Sequence, residues 1–285
     1  MHSVEFPSAD NETVRGVLYE PSDTRSHPAI IFAHGFLSTH EEYGDYPEKF
    51  CARGYVSLAI DFRGHGASDG MRGLISQERM VEDLRHALDF IETVPNADKH
   101  RIALFGHSLG GSGVICAAAK DARVRAVVAS ATVCNVLDEV GWGEMLLYRF
   151  IDAINALQKA ITHKSVYVPY RVTYTDIFEN AEARDRAAAK NFLQTSTPAD
   201  NLRLFMKQDT QACAQQLHVP VLIARAELDR VVKLESARRV YDAIASEREW
   251  SEIPGSGHSF ATDCASETAF EHIAAWMDKH LTNDG

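Results

Sequence analysis

Two periods of apolar residues run along this chain, and the switching between them sets out its architecture. Val4-Glu5-Phe6 and Thr13-Val14-Arg15-Gly16-Val17-Leu18-Tyr19 flank a turn-forming stretch, residues 7–12, and predict an antiparallel hairpin. Short apolar runs then recur at residues 28–33, 55–60, 101–105, 124–129 and 219–224. Runs of this length without a polar face read as strands buried on both sides. Glu249-Trp250-Ser251-Glu252-Ile253 is one more strand. Between the strands the period becomes helical. Residues 43–53 form a short helix ended by Gly54. Residues 77–93 put Met80, Leu84, Ala87, Leu88 and Ile91 on one face, with Pro95 just beyond. Residues 234–244 and 267–281 are the last two helices, the latter turning Phe270, Ile273, Ala274 and Met277 inward. Strands alternating with helices need crossovers, so the fold class is α/β with a mainly parallel sheet covered on both faces.

Residues 135–208 break this alternation and are too long for an ordinary connection. They carry helical runs at 144–158 and 180–192, with Tyr167-Val168-Pro169-Tyr170 between. The expected plan is a core of residues 1–134 and 209–285, with 135–208 as a helical cap over it. Most of the cap's aromatic residues are expected to pack it onto the body. Trp142, Tyr148, Tyr170 and Tyr174, together with Gly35 and His107, are the candidates to line an apolar substrate pocket.

The chemistry centres on Gly106-His107-Ser108-Leu109-Gly110, which joins an apolar strand to a small-residue helix. In that setting the serine sits on a sharp, strained turn with its hydroxyl above the sheet edge. A serine hydroxyl needs a base, and the base needs a carboxylate to orient it. The order expected after such a turn is an acid, then a histidine. Asp229 follows the strand at 219–224, and His258 lies in Pro254-Gly255-Ser256-Gly257-His258-Ser259. Glu227 is a close rival to Asp229, which is favoured by spacing: it follows the strand by several residues and comes just ahead of Val231-Val232. The backbone N–H groups of Leu109 and Phe36 are assigned to hold the oxyanion. His34 suits a hydrogen-bonding role at its strand end, and Asp61 and Arg63 are expected to tie loops together rather than to act in catalysis.

These blocks, with Asp61-Phe62-Arg63-Gly64-His65-Gly66-Ala67-Ser68, resemble the α/β-hydrolase superfamily. Asp69-Gly70-Met71-Arg72-Gly73 is similar to the monoacylglycerol-lipase and lysophospholipase branch, also labelled serine aminopeptidase-like. The compact N-terminal part is similar to cinnamoyl and feruloyl esterases. The resemblance implies the α/β-hydrolase fold with an eight-stranded sheet, and ester hydrolysis through an acyl-enzyme. Ala226 departs mildly from it, since many relatives carry glycine there.

Composition narrows the partners. The 285 residues hold one domain with an insertion, and 45% hydrophobic with 24% charged residues is ordinary for a globular protein. A net charge of -11 argues against nucleic acid and anionic membranes. Met1-His2-Ser3-Val4-Glu5-Phe6 has no signal-peptide pattern, and no run approaches a membrane span. Cys51, Cys116, Cys134, Cys213 and Cys264 are scattered without paired spacing, which predicts reduced thiols and a cytoplasmic location. The 13 histidines show no metal-site spacing. The expected substrate is a small to medium acyl or aryl ester, with no cofactor or metal. Amide, peptide or thioester cleavage by the same groups, and an idle binding protein, are the alternatives. A homo-oligomer is compatible with the sequence.

Overall fold

The computed structural model describes residues 1–282. In chain order the body begins with β1 (His2–Pro7), β2 (Thr13–Tyr19), β3 (His27–Ala33), α1 (Tyr46–Ala52), β4 (Val56–Asp61) and α2 (Gln77–Ile91). It continues with β5 (Ala97–His107), α3 (Leu109–Ala118) and β6 (Val124–Ser130). The chain then leaves the sheet for α4 (Trp142–Thr162), β7 (Tyr167–Pro169), α5 (Tyr174–Ile177), α6 (Ala181–Lys190), β8 (Ser196–Pro198) and α7 (Asp200–Phe205). It returns through α8 (Thr210–Ala214), β9 (Val221–Ala226), α9 (Leu234–Ala243), β10 (Arg248–Ile253) and α10 (Ser266–Leu281).

The main sheet has eight strands in the order β1-β2-β4-β3-β5-β6-β9-β10. β1 and β2 pair antiparallel, as do β2 and β4, and every other pairing is parallel. This is the mainly parallel sheet that the strand–helix alternation predicts. Successive residues of a strand face opposite sides, and β3 shows it: Ile31 packs with Met80, Leu84, Leu88 and Val114 on one face, while Ile30 and Phe32 pack with Phe50, Phe270, Ile273 and Met277 on the other. β7 and β8 form a separate antiparallel ribbon within the excursion.

Some boundaries differ from the sequence expectation. The helix expected at 43–53 splits into a 3-10 turn, His40–Tyr43, and α1, because Gly44 adopts φ 57 between them. α4 is longer than its apolar run predicted, and its start is capped by Glu144, which accepts the Gly141 N–H at 3.1 Å.

The expectation of five reduced thiols is overturned. Cys116 of α3 and Cys213 of α8 form a disulfide, with Cα atoms 4.9 Å apart, while Cys51, Cys134 and Cys264 are free. The two cysteines lie 97 positions apart and meet because the excursion brings α8 back beside α3. No local spacing carries that information, and the pairing removes the cysteine argument for a cytoplasmic location. Among the described residues no helix is long and apolar enough to cross a membrane.

α3 lies with its backbone almost touching the sheet. A Cβ on Gly110 would come 2.1 Å from the Ala33 carbonyl oxygen, and one on Gly106 would come 2.3 Å from that of Gly110.

Two outcomes are expected. Gly110→Ala forces backbone against backbone and loses about 1–3 kcal/mol or more of stability, read as a fall in thermal midpoint; an unchanged midpoint would mean that α3 shifts freely. The double change Cys116→Ala/Cys213→Ala loses about 2–4 kcal/mol in denaturant unfolding, and non-reducing peptide mapping should recover the cross-linked pair from the parent protein.

Candidate active site

β5 carries the chain to Ser108 and α3 takes it away. Ser108 has φ 53 and ψ -119, a conformation sparsely populated by L-residues, with a strain of about 1–3 kcal/mol. The turn is held from both sides: the Ser108 N–H donates to the Ser130 carbonyl at 2.8 Å, and the Ser108 carbonyl accepts the Gly111 N–H at 3.0 Å.

Asp229 stands just beyond β9. Its Oδ1 accepts the N–H groups of Val231 and Val232, both at 2.9 Å, and its Oδ2 lies 2.9 Å from Nδ1 of His258. Both side chains are withdrawn from solvent. Burial opposes charge on each, yet Asp229 is held below the usual carboxylate range by the imidazole and the two N–H donors. His258 is raised above its ordinary value by Asp229 against the same burial. The shifts agree and describe one coupled pair. Glu227 instead accepts the Gly255 N–H at 2.8 Å, so Asp229 is the carboxylate that reaches His258. The His258 ring packs edge-on against His107 at 4.7 Å, next to the serine turn. No hydrogen bond joins the Ser108 hydroxyl to His258 among the described residues; such contacts often tighten only with substrate bound.

The loop after β3 lies on the serine. A Cβ on Gly35 would come 3.1 Å from Cβ of Ser108. The Gly35 carbonyl accepts from Nδ1 of His34 at 2.7 Å and from the Ser38 N–H at 3.3 Å. A trans peptide points its C=O and N–H in opposite directions, so these bonds turn the Phe36 N–H the other way. His34 Nε2 accepts the Phe62 N–H at 3.0 Å, which assigns the ring proton to Nδ1. Burial pushes His34 down to about 4 and keeps it neutral. The Leu109 N–H is the first of α3 and has no partner within the helix.

The remaining pocket candidates separate. Tyr170 packs edge-on to Phe36 at 5.1 Å, with Phe205 of α7 against the same ring at 5.3 Å. His107 is buried behind the serine turn with Nδ1 2.9 Å from Ser130 Oγ. Tyr148 is half-buried. Tyr174 belongs to the excursion's own small core, packing on Phe178 and Phe192 and accepting the Leu193 N–H at 3.1 Å. Trp142 does not line an enclosed site: it is 83% exposed, at the head of an outward stripe with Leu146, Phe150, Leu157 and Ile161. An amphipathic period tells which residues share a face, and not which way that face points.

Asp61 accepts the N–H groups of His40 and Ala67, both at 2.8 Å, and Arg63 Nε binds Asp83 at 2.5 Å, so both tie loops together. Two carboxylates escaped the sequence reading. Asp263 accepts the N–H groups of Gly257, Glu179 and Asn180, joining the His258 loop to the excursion. Glu42 accepts the Gly35 N–H. Each sits in a short turn where an acidic residue ordinarily caps a helix, so only position in space distinguishes them.

Comparison with known proteins bears on the family and the fold. The family model described as serine aminopeptidase, S33, matches residues 24–265. A polyketide transferase of Stachybotrys chlorohalonatus is 29% identical over 265 residues, covering 90% of this chain and 89% of that one. A monoacylglycerol lipase of Mycolicibacterium smegmatis is 25% identical over 270 residues, covering 91% of each. The solved α/β hydrolase GrgF from Penicillium sp. sh18 superposes with a TM-score of 0.86 at 22% identity, covering 99% of both chains. With the sheet order and the family match in hand, the chain belongs to the serine aminopeptidase, S33, family and is an enzyme of the hydrolase class with the α/β-hydrolase fold.

Proposed function

We propose that this chain is a serine carboxylic-ester hydrolase working through an acyl-enzyme, with Ser108, His258 and Asp229 as its triad. The observation that carries the reading is the buried Asp229–His258 pair at 2.9 Å beside the strained Ser108 turn. With Nδ1 committed to Asp229, Nε2 of His258 is the nitrogen left to take the Ser108 proton. Oγ then attacks the carbonyl carbon, and the oxyanion meets the N–H groups of Phe36 and Leu109. Collapse breaks the ester C–O bond, and His258 returns its proton to the leaving alcohol. A water molecule, deprotonated by His258 in turn, attacks the acyl-enzyme; the acid leaves and Ser108 regains its proton. The excursion between β6 and β9 acts as a cap, with Tyr170 over the Phe36 side of the site.

Ester is favoured over amide because an alcohol leaves with less demand for protonation. Thioester cleavage draws on the same steps, and so does acyl transfer, the second reading, which the relative named as a polyketide transferase favours.

Ser108→Ala is expected to lower hydrolysis of p-nitrophenyl acetate and butyrate at least about 10³-fold and to abolish fluorophosphonate labelling; turnover at the parent rate would defeat the assignment. The pH dependence has a definite sign. The base works only when His258 is neutral, and its pKa lies above the ordinary imidazole value. Activity should therefore fall as pH drops through a value above about 6.5, and Asp229→Asn should move that inflection downward while lowering kcat. The same raised pKa stabilises the fold below about pH 6.5 and loses that contribution as pH rises through the folded value. The stability gap between the parent and Asp229→Asn should then be wider at pH 6 than at pH 9 in denaturant unfolding.

A further inference from the structure

A third carboxylate borders the site, and none of the steps above uses it. Glu42 lies in the 3-10 turn His40–Tyr43 and is 5% exposed. Its Oε2 accepts the Gly35 N–H at 2.7 Å. The small space where Gly35 lacks a side chain is walled by Ser108 Cβ at 3.1 Å and by the two Glu42 carboxyl oxygens at 3.4 and 3.5 Å. The carboxyl group therefore looks across Gly35 at the nucleophile. On its other side, Oε1 lies 3.8 Å from Nε2 of His107, whose ring rests on His258.

We propose that Glu42 is a positioning residue for the oxyanion hole, holding the Gly35 N–H so that the Phe36 N–H stays aimed at the charge developing beside Ser108. The proposal rests on the serine-hydrolase reading above. Its mechanical half follows from the bonds. Gly35 is gripped at both ends: its N–H by Glu42, its carbonyl by His34 and Ser38. With both flanking peptides fixed, a residue that lacks Cβ loses its two free rotations. Releasing the Glu42 end leaves the loop pinned at one point only.

Its electrostatic half concerns the kind of group used. A full negative charge beside the oxyanion would oppose catalysis while favouring the imidazolium form of His258. A carboxylic acid keeps the accepting oxygen and removes that conflict. The surroundings favour the protonated form. Ser130 Oγ donates to the Gly106 carbonyl at 3.3 Å, so it accepts from Nδ1–H of His107 and leaves Nε2 bare. That Nε2 is buried with no partner and faces Oε1. Burial raises Glu42 to about 7, against the opposing pull of the Gly35 N–H, His258 and Ser38. Burial also holds His107 well below its usual value, so it stays neutral. The other titratable groups facing Glu42 are Tyr43 next to it and Tyr170 from the excursion, both raised by burial and neutral throughout the working range.

The test compares Glu42→Gln and Glu42→Ala with the parent and with Ser108→Ala, using p-nitrophenyl butyrate from pH 5 to 9. Circular dichroism melts establish which variants fold. Glu42→Ala should lose about 10–100-fold in kcat with KM within about three-fold. Glu42→Gln keeps an acceptor oxygen without a titrating proton; it should hold kcat within about three-fold and lose one ionisation near pH 7 from the profile. A folded Glu42→Ala with parental kcat overturns the proposal, as does a folded Glu42→Gln that falls as far as the alanine variant. If Glu42→Ala does not fold, the Glu42→Gln profile decides: one unchanged from the parent overturns the proposal. Ser108→Ala keeps the two questions apart, since its retention of activity would remove the hydrolase reading itself, whereas its loss beside an indifferent Glu42 removes this inference alone.

Discussion

The site exists because a helix can lie directly on sheet backbone. At the start of α3 the main chain runs against the ends of β3 and β5 with no side chain between, and the closest approach is set by the absent Cβ atoms of Gly106 and Gly110. That contact brings the start of α3 against the end of β3 at Ala33 and His34, and the loop that follows lies on Ser108 through Gly35. It also forces the residue between strand and helix into the left-handed half of backbone space. Strain at Ser108 is thus a geometric result of the approach, held in place by bonds to Ser130 and Gly111 on either side.

Around that contact the protein gathers ionisable groups out of water and gives each a fixed task. His34 is neutral and spans two backbone groups. Asp229 stays charged because three donors surround its oxygens. His258 gains basicity from Asp229. Buried titratable groups are costly unless partnered; Asp229 and His258 partner each other, and main-chain groups complete the set at Asp229 and His34. A peptide dipole does not titrate, so the main-chain bonds to Asp229 and His34 persist as pH changes around them.

What the sequence disclosed and what it hid divide along the reach of each signal. The strand–helix alternation and the serine turn were readable because each is written in consecutive residues. The pairing of Asp229 with His258 was readable from their order relative to strands, although the separation of Asp229 from Glu227 needed the position of the loop at Gly255. The Cys116–Cys213 pairing, the buried place of Glu42 and the outward turn of Trp142 were not readable, since each depends on how the 3-10 turn His40–Tyr43, α4 or α8 is laid against the rest. Tyr170 and Tyr174 make the same point. They are four residues apart, yet one packs on Phe36 beside the serine loop and the other on Phe178 and Phe192.

The disulfide has one more consequence. It closes a covalent ring that begins on α3, passes along β6, runs through the whole excursion and ends on α8. A protease that cut any one exposed loop inside that ring would leave both pieces on the same molecule, with the stub on each side still seated in the body. Such a nicked protein would run as two bands only after reduction. The excursion can thus be severed without being lost.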